Sequence, residues 1–156
     1  MPIPPGSPAP PGSPPGPALL AFFTSSSSTC ALAFPVFGEL RRRYGDVLPV
    51  IAVAQDPEGK AEPWLEEKAF NGPVIDDSEG YTLSDGFDVE VVPTLVLVEG
   101  GRVLAVSEGW DRARVNRWDE LLARYTGRCS EGPVSPDDDG RPVTEPGSEA
   151  ANRRSA

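Results

Sequence analysis

The chain has 156 residues, a net charge of −10 and no histidine. That balance excludes a nucleic-acid surface, because phosphates need a basic face. The missing histidines remove the commonest general base and the commonest zinc ligand, so Ser-His-Asp and Cys-His catalysis are closed within the chain.

No stretch approaches the roughly 18–20 apolar residues of a membrane span. The apolar run at residues 18–23 is too short for a secretory signal, and no basic segment precedes it. Two cysteines cannot form a disulfide-rich scaffold, so a reducing, cytoplasmic setting is expected. Asp76, Asp77 and Asp137–Asp139 lack the ligand ladder of a calcium loop and are expected in solvated turns, with no metal.

Proline and glycine crowd the two ends. Residues 1–17 hold nine prolines and three glycines. Proline lacks the N–H donor, so this segment is expected as a disordered or polyproline-II-like arm. Residues 128–156 are polar and acidic with no apolar run, and are expected as a disordered tail. Residues 18–127 remain as the single packed domain.

Within that core, Ala18–Phe23 is a continuous apolar run, as in a strand buried on both faces. Polar residues Thr24 to Thr29 follow. A helix is predicted over Cys30–Tyr44, with Leu32, Phe37 and Leu40 apolar and Arg41–Arg43 in the last turn. Leu48–Ala54 is the second buried strand, with Pro49 tolerated only at its start. A helix over Lys60–Phe70, a short strand at Pro73–Ile75 and a weak helix at Tyr81–Phe87 come next.

Leu95–Val98 and Val103–Val106 flank the turn Glu99-Gly100-Gly101-Arg102. Asp111 caps a last helix with Val115, Trp118, Leu121, Leu122 and Tyr125 at helical spacing. Trp64, Trp110 and Trp118 are expected to pack helix against sheet. The order β-α-β-α-(β)-α-β-β-α predicts an α/β domain: a mixed central sheet with helices on both faces and an antiparallel edge.

The chemistry-bearing residues gather in two places. One is Phe22-Phe23-Thr24-Ser25-Ser26-Ser27-Ser28-Thr29-Cys30, a strand running into a helix, with Pro35 five residues further on. The other is Val91-Val92-Pro93-Thr94, just before a strand. In this order and spacing the chain resembles the thioredoxin-like superfamily, nearest its TlpA/ResA and AhpC/TSA-related thiol-disulfide oxidoreductases, over about residues 18–125. Members often read FFxxxCPxCxxxxP at the first site.

The resemblance implies a thioredoxin-like fold with a TlpA-type insertion before Pro93. It implies a cis proline at Pro93, and a groove at Val92, Pro93 and Thr94 that holds an extended peptide or a thiol-bearing protein. No cofactor is implied.

Cys30 then falls on the second cysteine of the family pair and Ser27 on the first, the attacking one. Ser26 replaces the usual tryptophan, and Ala21 replaces the buried acid of some members. A serine hydroxyl cannot attack a disulfide usefully or be oxidised, so the dithiol cycle is closed. Cys30 at a helix start has the position of a monothiol for exchange or sensing, with Ser27 as its hydrogen-bond partner. Equally, it is a small core residue in a non-enzymatic binding module.

A peroxiredoxin-like peroxidase is the third reading. Ser27 stands three residues before Cys30, where such enzymes carry Thr or Ser. Phe23 occupies the position of a required proline, and Arg102 is the only arginine near the needed place. Cys129 lies past the far end of a last helix of about 15 residues, roughly 22 Å long, so it is expected as a free, solvent-near thiol rather than a partner of Cys30.

Overall fold

The computed structural model describes residues 2–57 and 59–154. Its strands are β1 (Ala18–Phe23), β2 (Val50–Ala54), β3 (Val74–Asp76), β4 (Val91–Val92), β5 (Thr94–Glu99), β6 (Arg102–Glu108), β7 (Trp110–Asp111), β8 (Thr144–Glu145) and β9 (Ser148–Glu149). Its helices are α1 (Ser28–Tyr44), α2 (Ala61–Glu67), α3 (Thr82–Gly86), α4 (Arg112–Thr126) and α5 (Ala151–Arg154).

The unbroken apolar run of β1 follows from its place at the centre of a five-stranded sheet ordered β3-β2-β1-β5-β6. All six of its residues are buried. β1 pairs in parallel with β2, and β2 with β3, each across a helical connection. It pairs antiparallel with β5, which turns into β6. Gly100 and Gly101 make that turn with φ of 59° and 75°, the left-handed conformation a tight hairpin requires. β2 begins only at Val50 because Pro49 has no N–H to give; its carbonyl instead accepts from the Leu19 amide at 2.9 Å.

Adjacent residues of a strand face opposite sides, and β1 uses both. The Phe23 ring lies against Phe34 of α1 and stacks on Trp64 of α2. The Phe22 ring meets Phe87, at the end of α3. Helices therefore cover both faces.

α4 begins at the Asp111 cap, whose carboxylate accepts from the Arg114 amide at 3.1 Å. Trp118 donates its indole N–H to the Ser107 hydroxyl of β6. α1 and α4 are joined by Asp119, which accepts from Tyr44 Oη at 2.6 Å and Arg43 at 3.0 Å.

Both ends of the chain make hydrogen bonds to the core. In residues 2–17, Gly6 and Ala9 donate to Val103 and Gly101, and Val103 donates to Ser7. The prolines leave their missing N–H groups outside this pairing, so the arm runs along the open edge of β6. Residues 128–153 are held mainly by polar contacts, with Val134 and Ala150 buried against the core. Arg112 binds Asp139, Asn116 exchanges two hydrogen bonds with Ser135, and Trp110 donates to the Pro142 carbonyl.

Two turn aspartates are also not merely solvated. Asp77 is buried and caps α3, accepting from the amides of Leu83 and Ser84. Asp139 is bound by both Arg112 and Arg141.

Candidate functional site

The polar residues after β1 form a pinned loop. Asp56, two residues past β2, accepts from the Ser25 amide at 2.7 Å and the Ser25 hydroxyl at 3.1 Å. This brings Ser27 to the N-cap of α1, where its hydroxyl accepts from the Cys30 amide at 3.1 Å. The cap satisfies one of the orphan N–H groups of the first turn.

Cys30 is 0 % exposed. Burial pushes its thiol up to about 12. The hydrogen bonds from Ser27 and the Thr24 backbone pull it down but lose, and the Asp56 charge adds to the rise. At neutral pH Cys30 is therefore held as the thiol, whereas the thiolate is the reactive form.

The second stretch lies at the same end of the sheet. Thr94 pairs with Phe22 across β1 and β5, so Pro93 falls beside the end of β1 from which α1 departs. The Val92–Pro93 peptide is cis. The Thr94 hydroxyl donates to the Val91 carbonyl at 2.7 Å, and the Pro93 carbonyl accepts from the Gly109 amide at 2.8 Å. The start of α1, with Ser27 and Cys30, and the stretch Val92, Pro93 and Thr94 thus lie at one end of the sheet and flank a groove, and Cys30, Val92 and Thr94 are themselves buried.

That groove is filled by the chain itself. β9 pairs antiparallel with β4, with Ser148 opposite Val92 and Glu149 opposite Val91. The Ser148 and Ser27 hydroxyls share a hydrogen bond at 2.7 Å. Thr29 donates its hydroxyl to the Pro146 carbonyl at 2.7 Å. Beyond β9, the Ala150 amide donates to the Glu90 carbonyl. Asn152 is buried, with its side chain bound to Gln55, Asp85 and the Val89 carbonyl.

A cleft of about 870 Å³ opens alongside, bounded by Ile3 of the arm, Val106 of β6, Trp110 of β7, and the tail residues Glu145 and Pro146. The sequence reading missed Asp56, Gln55, Ser148 and Asn152. No local motif marks them, because each acts on a residue far along the chain.

Arg102 does not join the site. It pairs with Glu99 at the opposite end of β5 from Thr94 and donates to the Gly6 carbonyl. The peroxidase reading therefore lacks its arginine. Cys129 is exposed, and both cysteines are free. Among the described residues no cluster of His, Cys, Asp and Glu suits a metal ion, and no helix is long and apolar enough to cross a membrane.

No family model matches the chain. It is similar to the thiol-disulfide oxidoreductase YkuV of Bacillus subtilis, at 34% identity over 84 residues, which are 49% of this chain and 55% of that protein. The chain thus spans about half the length of the curated relative it matches.

Among solved structures, one described as a thiol:disulfide interchange protein DsbE from Chlorobium tepidum superposes with a TM-score of 0.67 at 24% identity. The match covers 80% of this chain and 98% of that one. A thioredoxin-like protein in its oxidised form superposes with a TM-score of 0.61 at 26% identity, covering 76% and 97%. The sheet order and these likenesses agree on the architecture: the chain has a thioredoxin-like fold, with a mixed central sheet and helices on both faces.

Proposed function

We propose that this chain is a thioredoxin-like protein, descended from the thiol-disulfide oxidoreductase kind, that binds an extended polypeptide in the groove beside Pro93 without cycling a dithiol. The observation that carries the reading is β9 on β4: an extended segment paired by main chain to Val91 and Val92 and laid on Ser27. Main-chain pairing at an exposed strand is how a sheet edge takes a peptide.

In this reading Ser27 stands at the attacking position of the family pair. Its hydroxyl caps α1 and contacts the bound segment, and Cys30 is held as a protonated, buried thiol.

A second reading is monothiol exchange or redox sensing through Cys30. It is favoured by the place of Cys30 in the first turn of a 17-residue helix, one residue from Thr29, whose own cover is tail backbone. Helix N-termini lower a thiol's pKa once water reaches it.

A titration with an aromatic disulfide reagent separates the two. In a Cys129→Ser chain, the binding reading expects Cys30 to react only on unfolding. Full modification of Cys30 within seconds in the native chain would instead establish the monothiol reading.

A further inference from the structure

The segment in the groove belongs to the chain itself, and its fit is detailed. A Cβ at Gly147 would stand 3.0 Å from both Val91 Cβ and the Val92 carbonyl oxygen, so a side chain there would have to push the groove strand aside by a few tenths of an ångström. Ser148 is the residue that meets Ser27. Ala150 is completely buried. The Asn152 amide then fills a polar pocket in which Gln55 donates to its oxygen while Asp85 and the Val89 carbonyl accept from its nitrogen. Gln55 also accepts from the Ala151 amide at 2.9 Å.

Yet what anchors the segment is small. Thr144, Glu145, Pro146 and Glu149 are exposed, and the fully inserted side chains are only an alanine and an asparagine. Its main-chain pairing is two residues on β4 and two, Thr144 and Glu145, on β7. This is a specific ligand with little apolar burial, the combination expected of a contact that competes with another chain rather than one that builds the core.

We propose that residues 144–152 are a self-ligand of the groove, and that a partner enters by displacing them with an extended segment of the same pattern. That pattern is a glycine against Val91, a small hydroxyl residue facing Ser27, a small residue two positions further on, and an Asn in the pocket of Gln55, Asp85 and Val89. The inference rests on the groove-binding reading above and adds the identity of its resting occupant.

The test uses a fluorescein-labelled synthetic peptide copying residues 144–152, titrated by fluorescence anisotropy. It is run against the full chain, the chain shortened after Val143, and full-length Gly147→Val. The shortened chain is expected to bind saturably and the full chain at least tenfold more weakly. Gly147→Val is expected to bind more tightly than wild type, because its own segment no longer seats. A peptide carrying Asn152→Ala is expected to lose at least tenfold on the shortened chain.

A folded shortened chain without saturable binding overturns the proposal, as does a full chain that binds equally well. If the shortened chain does not fold, Gly147→Val decides: tighter binding than wild type supports the self-ligand, and unchanged binding overturns it. A random extended-peptide library on the shortened chain separates the two failures. A library peptide that binds full and shortened chains equally leaves the groove reading standing and removes only the self-ligand, whereas no library binder removes both.

Discussion

Replacing Cys30 with alanine isolates the energetic signature of a thiol kept out of water. In the folded chain, burial lifts this thiol from an ordinary value of 9.0 to about 12. The folded state therefore holds the proton more tightly than the unfolded state does. Stability from this group is whole below pH 9 and is lost as pH rises from 9 to 12, at about 1.4 kcal/mol per unit.

The full loss is about 4 kcal/mol, of which about 2 kcal/mol is gone by pH 10.5. Cys30→Ala costs packing at every pH but carries no such slope, so its deficit relative to wild type should shrink by about 2 kcal/mol between pH 8 and pH 10.5. Tyr44 and Tyr125, which burial also pushes up to about 12, contribute equally to both proteins and cancel. Urea unfolding at the two pH values, followed by tryptophan fluorescence in a Cys129→Ser background, reads the difference. A deficit that stays constant would show that Cys30 is not buried as a neutral thiol, and the case for its inertness would fall with it.

Ser27→Cys in the chain shortened after Val143 should create a thiol at a helix N-cap, where values of about 3.5–7.5 are reached. It should form an alkylation-resistant disulfide with Cys30 and reduce insulin faster than the parent, while losing about 1 kcal/mol of helix capping. A variant that folds but does neither would refute the placement of Ser27 at the attacking position.

Gly38→Ala would put a Cβ 2.4 Å from the Ala69 carbonyl oxygen. The clash should outweigh the gain in helix propensity and lower stability by about 1–2 kcal/mol, and a raised urea midpoint would contradict this. Tyr44→Phe removes the donor to Asp119 but leaves Arg43 in place. It should cost about 1 kcal/mol in thermal or urea unfolding, and a neutral result would mean the buried network does not hold α1 to α4.

The central sheet was legible because its strands announce their burial. Ala18–Phe23 is apolar throughout because β1 has a neighbour on each edge and a helix layer on each face. The last helix was legible from Asp111, whose capping role is local, and the hairpin from Gly100-Gly101. The resemblance singled out Ser27, Cys30 and Val92-Pro93-Thr94, and the structure sets the start of α1 and the start of β5 at one end of the sheet.

What fills the groove was not. Residues 144–152 have no apolar period, and they are held by backbone pairing, a buried alanine and one amide whose partners lie dozens of residues away. The same physics hid the N-terminal arm. Composition reports what a segment can bury, and here Gly6, Ser7 and Ala9 hold the arm by main-chain bonds to β6. Asp77 and Asp139 were misread as solvated for a related reason. Their partners, the start of α3 and Arg112, come from turns and helices that no spacing rule connects to them.

The most direct measurement is insulin reduction by dithiothreitol, followed as turbidity, with the wild-type chain both complete and shortened after Val143. The account predicts precipitation no faster than with dithiothreitol alone in either case, because uncovering the groove exposes a hydroxyl rather than an attacking sulfur. Severalfold acceleration by either protein would contradict it.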